Sequence, residues 1–223
     1  MELGDIGVVI PAFNVEKTIS PLVREIEDFG FKKKNIIIID DGSTDGTAQL
    51  VQRSGATVVS HDRNKGKGAA LKTGFSVARM RNLKGVVTLD GDGQHRVAEI
   101  AHFLEKKANY DMIIGCRHTR ERMPFIRKLT NKTTSLVVSL LSRQHVPDTQ
   151  CGFRFINLRV FDNVVLRTDK YQTESEMVVK SIRYKFRIGS VPVSTVYADE
   201  RSHIRPLFDT LRFIMMAVRF FWH

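Results

Sequence analysis

Cysteine is scarce in this chain. Cys116 and Cys151 are the only two in 223 residues. No CxxC or HxxxH pair accompanies them, so neither a disulfide framework nor a zinc site is expected, and a reducing, cytoplasmic setting is. Glu2 and Asp5 stand where a secretory leader would be basic, so no signal peptide is expected. No apolar run approaches the roughly 20 residues that cross a bilayer. Internal repeats and low-complexity tracts are missing, and so is the GxxxxGK[ST] phosphate loop. No helix-turn-helix, zinc or aromatic RNP pattern explains the pI of about 9.9 through nucleic acid. That leaves a non-enzymatic nucleic-acid-binding protein as a remote alternative. Acidic residues thin out toward the C-terminus. Residues 1–112 hold 16 Lys+Arg against 15 Asp+Glu, whereas residues 113–223 hold 19 against 9. The second half is therefore the part that attracts phosphorylated or anionic partners.

What is present fits one large domain with a normal core, since 42% of the residues are hydrophobic. Short apolar runs alternate with helical patterns. Strands are expected at Ile6–Ile10, stopped by Pro11, and at Asn35–Ile39, Thr57–Ser60, Val86–Leu89 and Met112–Gly115. Helices are expected at Val15–Phe29 (apolar Ile19, Leu22, Val23 and Ile26), Asp45–Arg53 with Ser43 or Thr44 as cap, Gly68–Arg81 and Val97–Lys107. This alternation predicts an α/β fold: a mostly parallel sheet covered by helices, its strand C-termini gathered on one edge. After Gly115 the rhythm changes. Pro124–Leu141 and Gln172–Tyr184 read as helices, Thr149–Asn157 as a turn entering a strand, and Phe186–Tyr197 as strand-like. Pro206–Trp222 reads as an amphipathic helix carrying Phe213, Met216, Phe220 and Phe221.

Chemistry is concentrated where strands end. Val86–Leu89 runs into Asp90-Gly91-Asp92-Gly93-Gln94-His95. Ligands of open α/β sheets bind beyond such ends, and two carboxylates with an amide oxygen suit Mg²⁺ or Mn²⁺ that keeps positions for substrate phosphates. A polar Asp-Gly turn is the plain alternative. Ile36–Ile39 likewise delivers Asp40 and Asp41, and Asp41 is a candidate for gripping a base or ribose. Arg63-Asn64-Lys65-Gly66-Lys67-Gly68 is a basic loop entering a helix, where amides and Lys65 or Lys67 could meet phosphate. Taken alone, such a pattern is more commonly a solvated basic loop.

Taken in order, these segments resemble family 2 glycosyltransferases of the GT-A fold. Val8-Val9-Ile10-Pro11-Ala12-Phe13-Asn14 looks like their opening strand and nucleotide-contacting turn. Asp40 to Asp45 looks like their second nucleotide-binding stretch, Asn64 to Gly68 like their loop, and Asp90-Gly91-Asp92 like their metal-binding DxD. The resemblance implies nucleotide-sugar binding by Pro11, Ala12, Asn14, Asp41, Lys67, Asp90 and Gly91. It also implies metal binding by Asp90, Asp92 and Gln94. Asp148-Thr149-Gln150-Cys151-Gly152-Phe153-Arg154 and Tyr197 to Pro206 resemble dolichyl- and polyprenyl-phosphate sugar synthases. An acceptor phosphate would then meet Arg117, Arg127, Asn131 and Ser202, within a basic cluster that also holds Arg120, Arg122 and Lys128.

Asp92, Asp148 and Arg117 are the expected catalytic set. Asp148, with Glu174 behind it, would serve as base if the acceptor were a hydroxyl rather than a phosphate anion. The expected activity is inverting transfer of a hexose to a polyprenyl or dolichyl phosphate. The donor expected is UDP-glucose, with GDP-mannose as the alternative, and the enzyme is expected to lie peripherally on the cytoplasmic face of an anionic membrane without binding nucleic acid. A glycan or glycolipid hydroxyl is the alternative acceptor. The Gln-x-x-Arg-Trp segment of processive synthases is absent. His203 stands where a Lys is common, Ser190 where an acidic residue is common, and the chain ends at His223. The expected organisation is a catalytic domain over 1–205, with donor and metal functions in 1–115 and acceptor functions in 116–205, followed by the helix over 206–223.

Overall fold

The computed structural model of the chain describes residues 2–117, 135, 139, 148, 149 and 151–194. Seven strands form one sheet in the order β3-β2-β1-β4-β6-β5-β7. They are β1 (Ile6–Ala12), β2 (Ile36–Asp40), β3 (Thr57–Ser60), β4 (Gly85–Thr88), β5 (Met112–Arg117), β6 (Arg154–Asn157) and β7 (Ile188–Val193). The helices are α1 (Ile19–Asp28), α2 (Thr47–Arg53), α3 (Lys67–Met80), α4 (Ile100–Lys106) and α5 (Gln172–Arg183). β3, β2, β1 and β4 run parallel, with Ala12 opposite Asp40 and Asp40 opposite Ser60.

Burial follows the apolar pattern. All five residues of β2 are buried, as expected of an inner strand covered on both faces. α1 buries Ile19, Leu22, Val23 and Ile26, the stripe read from the sequence. Gly74 lets α3 lie directly on the sheet, because a Cβ there would collide with Val9 Cγ1.

Three expectations need correction. β1 does not stop at Pro11 but continues to Ala12. Val9 accepts the Leu89 N–H, so the backbone groups of Pro11, two residues on, face the same side, where the β4 ladder has already ended at Thr88. The missing N–H costs nothing there. Ser43 and Thr44 do not cap α2. Ser43 Oγ accepts the Asn14 N–H at 3.0 Å and the Thr44 N–H donates to Asn14 Oδ1 at 2.9 Å, tying the first two loops together. The helix begins at Thr47, whose N–H is taken by Asp45 Oδ1 at 2.9 Å. Finally, β6 is antiparallel and sits between β4 and β5. Its beginning, rather than its end, therefore reaches the ligand edge, and the 148–154 segment arrives there with it.

Pro124–Leu141 as a helix, Arg120, Arg122, Arg127, Lys128, Asn131, Gln150, Ser202, His203 and the Pro206–Trp222 helix lie outside the described residues. Among the described residues, no helix is long and apolar enough to cross a membrane.

Cys151 is 1% exposed, and burial, with Asp148 nearby, pushes its thiol from 9.0 up to about 12. At pH 8 this leaves about a thousandfold less thiolate than an ordinary cysteine has. Native protein treated with a thiol reagent should therefore modify Cys116 alone, and denatured protein both. Modification of two thiols at similar rates in native protein would contradict this burial.

Candidate active site

The loops after β1, β2 and β4, the end of β5 and the start of β6 converge with the first turns of α3 and α5. Asp90, just past β4, and Lys67, first residue of α3, are brought together from 23 positions apart: Lys67 Nζ lies 2.6 Å from Asp90 Oδ1. Glu174, in the first turn of α5, places Oε1 3.0 Å from the same ammonium. The side chains of Lys67, Asp90 and Glu174 are only 17%, 26% and 6% exposed, respectively. Burial alone would lower the Lys67 pKa, but the Asp90 and Glu174 carboxylates outweigh it and hold the ammonium above the usual lysine range. Burial alone would raise Asp90, but Lys67, His95 and Arg117 outweigh it and keep the carboxyl below its usual value. Lys67 and Asp90 are thus both charged at neutral pH.

Close approach makes this cluster possible. Thr88 Oγ1 donates to the Gly152 carbonyl at 2.6 Å, pressing the 151–153 segment onto the end of β4. A Cβ on Gly152 would stand 2.7 Å from both Asp90 Oδ2 and Lys67 Nζ, so a larger residue would displace the ends of this ion pair. Arg154 clamps the same segment from below. Its guanidinium, 1% exposed, donates to the carbonyls of Cys151 (2.8 Å), Thr149 (2.8 Å) and Glu174 (2.7 Å).

Asp92 is partly exposed, and its Oδ1 accepts the Gln94 N–H at 3.0 Å in a tight turn. Gly91 is buried, and its carbonyl is fixed by Thr18 Oγ1 at 2.6 Å. His95 is buried against Phe153, ring centroids 5.0 Å apart, and its Nδ1 has no hydrogen-bond partner among the described residues. Burial, only partly opposed by Asp90, favours its neutral form. Lys67 takes Asp90 Oδ1. No three His, Cys, Asp or Glu side chains among the described residues converge on one point. Two carboxylates facing one loop therefore suit a hard cation that draws its remaining oxygens from substrate and water.

Asp41 is committed to holding a loop. Its Oδ1 pairs with His61 Nδ1 at 2.6 Å and accepts Lys65 N–H at 3.0 Å, while Oδ2 accepts Gly66 N–H at 2.8 Å. The Ala69 N–H goes to the Asp169 carbonyl at 3.0 Å. These amides of the basic loop are therefore spent on protein, and the cation the loop brings to the sheet edge is the Lys67 ammonium. His61 escaped the sequence reading. The signal was there in strand adjacency: Ser60 pairs with Asp40, which sets His61 beside Asp41. Asn14 adopts φ 53°, a left-handed turn that Asn tolerates, and aims its backbone N–H and Oδ1 at the second loop. Pro11 and Ala12 form the floor between these loops.

Arg117, last residue of β5, grips Asp148 with two parallel bonds, Nε to Oδ2 at 2.8 Å and Nη2 to Oδ1 at 3.1 Å. Asp148 is 0% exposed and Arg117 19%. The carboxylate expected as a base is thus fully buried, with both oxygens engaged. Glu174, second in line for that role, is engaged with Lys67.

The profile described as Glycosyl transferase family 2 matches residues 7–168. A UDP-N-acetylglucosamine–dolichyl-phosphate N-acetylglucosaminyltransferase of Methanococcus voltae is 30% identical over 220 residues, covering 87% of this chain and 86% of that one. A polyprenol monophosphomannose synthase of Mycolicibacterium smegmatis is 25% identical over 201 residues, covering 84% and 76%. Among solved structures, a glucosyl-3-phosphoglycerate synthase from Mycobacterium tuberculosis, in complex with Mn²⁺, UDP and phosphoglyceric acid, shares this fold. Its TM-score is 0.76 at 19% identity, covering 96% of this chain and 77% of that one.

Proposed function

Because the chain belongs to glycosyl transferase family 2, we propose that it transfers a hexose, with inversion, from a nucleotide-diphosphate sugar to a polyprenyl or dolichyl phosphate. The observation that carries this reading is the meeting of Asp90 and Lys67 at the C-terminal edge of the sheet, with Asp92 two residues on in the same loop. Asp90 and Asp92, with the Gln94 amide oxygen, would hold Mg²⁺ or Mn²⁺, whose charge would balance the diphosphate as it leaves. Lys67 places a second positive charge at the same point. Pro11, Ala12, Asn14 and Asp41 belong to the side of the edge where the base and ribose would lie, and Gly91, whose missing side chain lets the metal loop pack against Val15 and Pro11, would set that loop beside the diphosphate.

The acceptor assignment rests on charge and on what is absent from the two candidate bases. A phosphate monoester is already anionic and needs positioning more than deprotonation. Asp148 and Glu174 are both tied to cations, which favours such an acceptor over a hydroxyl. In this reading Asp148 orients Arg117, and Arg117, Arg127, Asn131 and Ser202 receive the phosphate. The names of the archaeal and mycobacterial relatives, which act on dolichyl phosphate and polyprenol, support the same acceptor class. The 19 Lys+Arg against 9 Asp+Glu in residues 113–223 support peripheral attachment to the cytoplasmic face of an anionic membrane, with the amphipathic sequence of Pro206–Trp222 as the docking segment.

The donor is a UDP-sugar, UDP-glucose foremost. Calorimetric titration with UDP and with GDP, each with Mn²⁺, tests this directly. UDP should bind at least about tenfold more tightly, a difference of one or two base contacts. Tighter binding of GDP would reassign the donor to GDP-mannose.

A further inference from the structure

Lys67 is shared between two carboxylates that do different work. Asp90 belongs to the loop proposed to hold the cation. Glu174 sits across from it on another element, and its main chain is pinned by Arg154 at 2.7 Å. The elements carrying Lys67 and Glu174 are bound to each other. Glu176, 0% exposed, accepts the amides of Arg167 (2.9 Å) and Thr168 (2.9 Å) and the Lys180 ammonium (2.5 Å). The next residue of that strap, Asp169, holds Lys72 at 2.5 Å and accepts the Ala69 N–H at 3.0 Å. The Lys67–Glu174 distance of 3.0 Å is therefore set by a rigid frame rather than by a chance encounter of surface chains.

An arriving dication repels the ammonium at Asp90. A nearly buried ammonium cannot surrender its only counter-charge without a large penalty. With Glu174 in place it need not, because one carboxylate remains within bonding distance while a freed N–H turns toward incoming phosphate oxygen. We propose that Glu174 is a positioning residue that retains Lys67 when the cation takes Asp90, so that one lysine guards the empty site and serves the filled one. This rests on the metal reading above. Without Glu174, Lys67 keeps Asp90 as its one carboxylate partner among the described residues and competes with the cation for it.

Binding of Mn²⁺ alone to the full chain, followed by the electron paramagnetic resonance signal of free Mn²⁺, tests this without turnover. Glu174→Gln keeps the shape and removes the charge, and it should weaken Mn²⁺ binding at least about tenfold. Adding Lys67→Met to that variant removes the competitor and should restore binding to within about threefold of the parent. Unchanged binding in Glu174→Gln overturns the proposal. So does a double variant as weak as the single one, which would make Glu174 a purely structural residue of α5. Circular dichroism and a thermal melt establish that each variant is folded. If the parent binds no Mn²⁺, or binds it equally after Asp92→Ala, the metal reading itself fails and takes this proposal with it. That failure appears in the first titration, before any Glu174 variant is compared.

Discussion

Asp92→Ala is expected to lose about a hundred- to a thousandfold in sugar transfer with Mg²⁺ or Mn²⁺ present, the cost of removing one preorganised charge from a reacting centre. Little of this should come from unfolding. Asp92 is partly exposed, and its Oδ1 accepts the Gln94 N–H at 3.0 Å within its own turn. Losing such a bond costs about 1 kcal/mol, or a few degrees in melting temperature for a chain of this size. Initial rates at saturating donor and a thermal melt of the same sample separate the two effects. The contrast with Asp90 matters. Asp90→Ala also strips Lys67 of a partner, so its phenotype mixes metal, ammonium and packing. Asp92 gives the cleaner reading, and full metal-dependent activity in Asp92→Ala would remove the metal assignment.

The second large effect is structural. Arg154→Ala should cost about 4 kcal/mol or more, a large share of the 5–15 kcal/mol by which domains are stable. The guanidinium is 1% exposed and satisfies the carbonyls of Thr149, Cys151 and Glu174. Truncation leaves those acceptors unpaired at about 1–3 kcal/mol each and opens a cavity beside them. Relief from burying a cation offsets part of this, which is why the total falls short of the sum. Arg154→Lys should recover little, since a compact ammonium cannot reach carbonyls arranged around a planar fork. Urea unfolding measures both variants. A midpoint unchanged in Arg154→Ala would mean that the 149–154 segment is held at the edge by something other than this clamp.

Much of the fold's first half was legible because local pattern and burial agree there. Ile36–Ile39 reads as an inner strand and is one, and the stripe from Ile19 to Ile26 is the buried face of α1. Legibility failed wherever a partner was distant in sequence. Antiparallel insertion of β6 between β4 and β5 depends on pairing Thr88 with Arg154, which no local period encodes. Ser43 and Thr44 fit a cap by composition, yet their partner Asn14 lies about 30 positions away. The same limit applies at the site. Asp90, Asp92 and Asp41 were readable as strand-end carboxylates, and Lys67 as a loop cation. That Lys67 bridges Asp90 and Glu174, that Arg117 chelates Asp148 and that His61 braces Asp41 are consequences of topology. Arg154 reads as one more basic residue in a basic half, and only its complete burial reveals it as a clamp.

In the proposed function, this sheet edge uses a divalent cation to move sugar onto a lipid phosphate. The direct measurement is the transfer of radiolabelled glucose from UDP-glucose to polyprenyl phosphate, with Mn²⁺ and again after chelation. Lipid-borne label that forms with the metal and disappears with the chelator is the predicted result. Label that reaches no lipid phosphate from UDP-glucose, while a glycan or glycolipid hydroxyl accepts it, would contradict the acceptor assignment. Undiminished transfer to lipid after chelation would contradict the role given to Asp90 and Asp92.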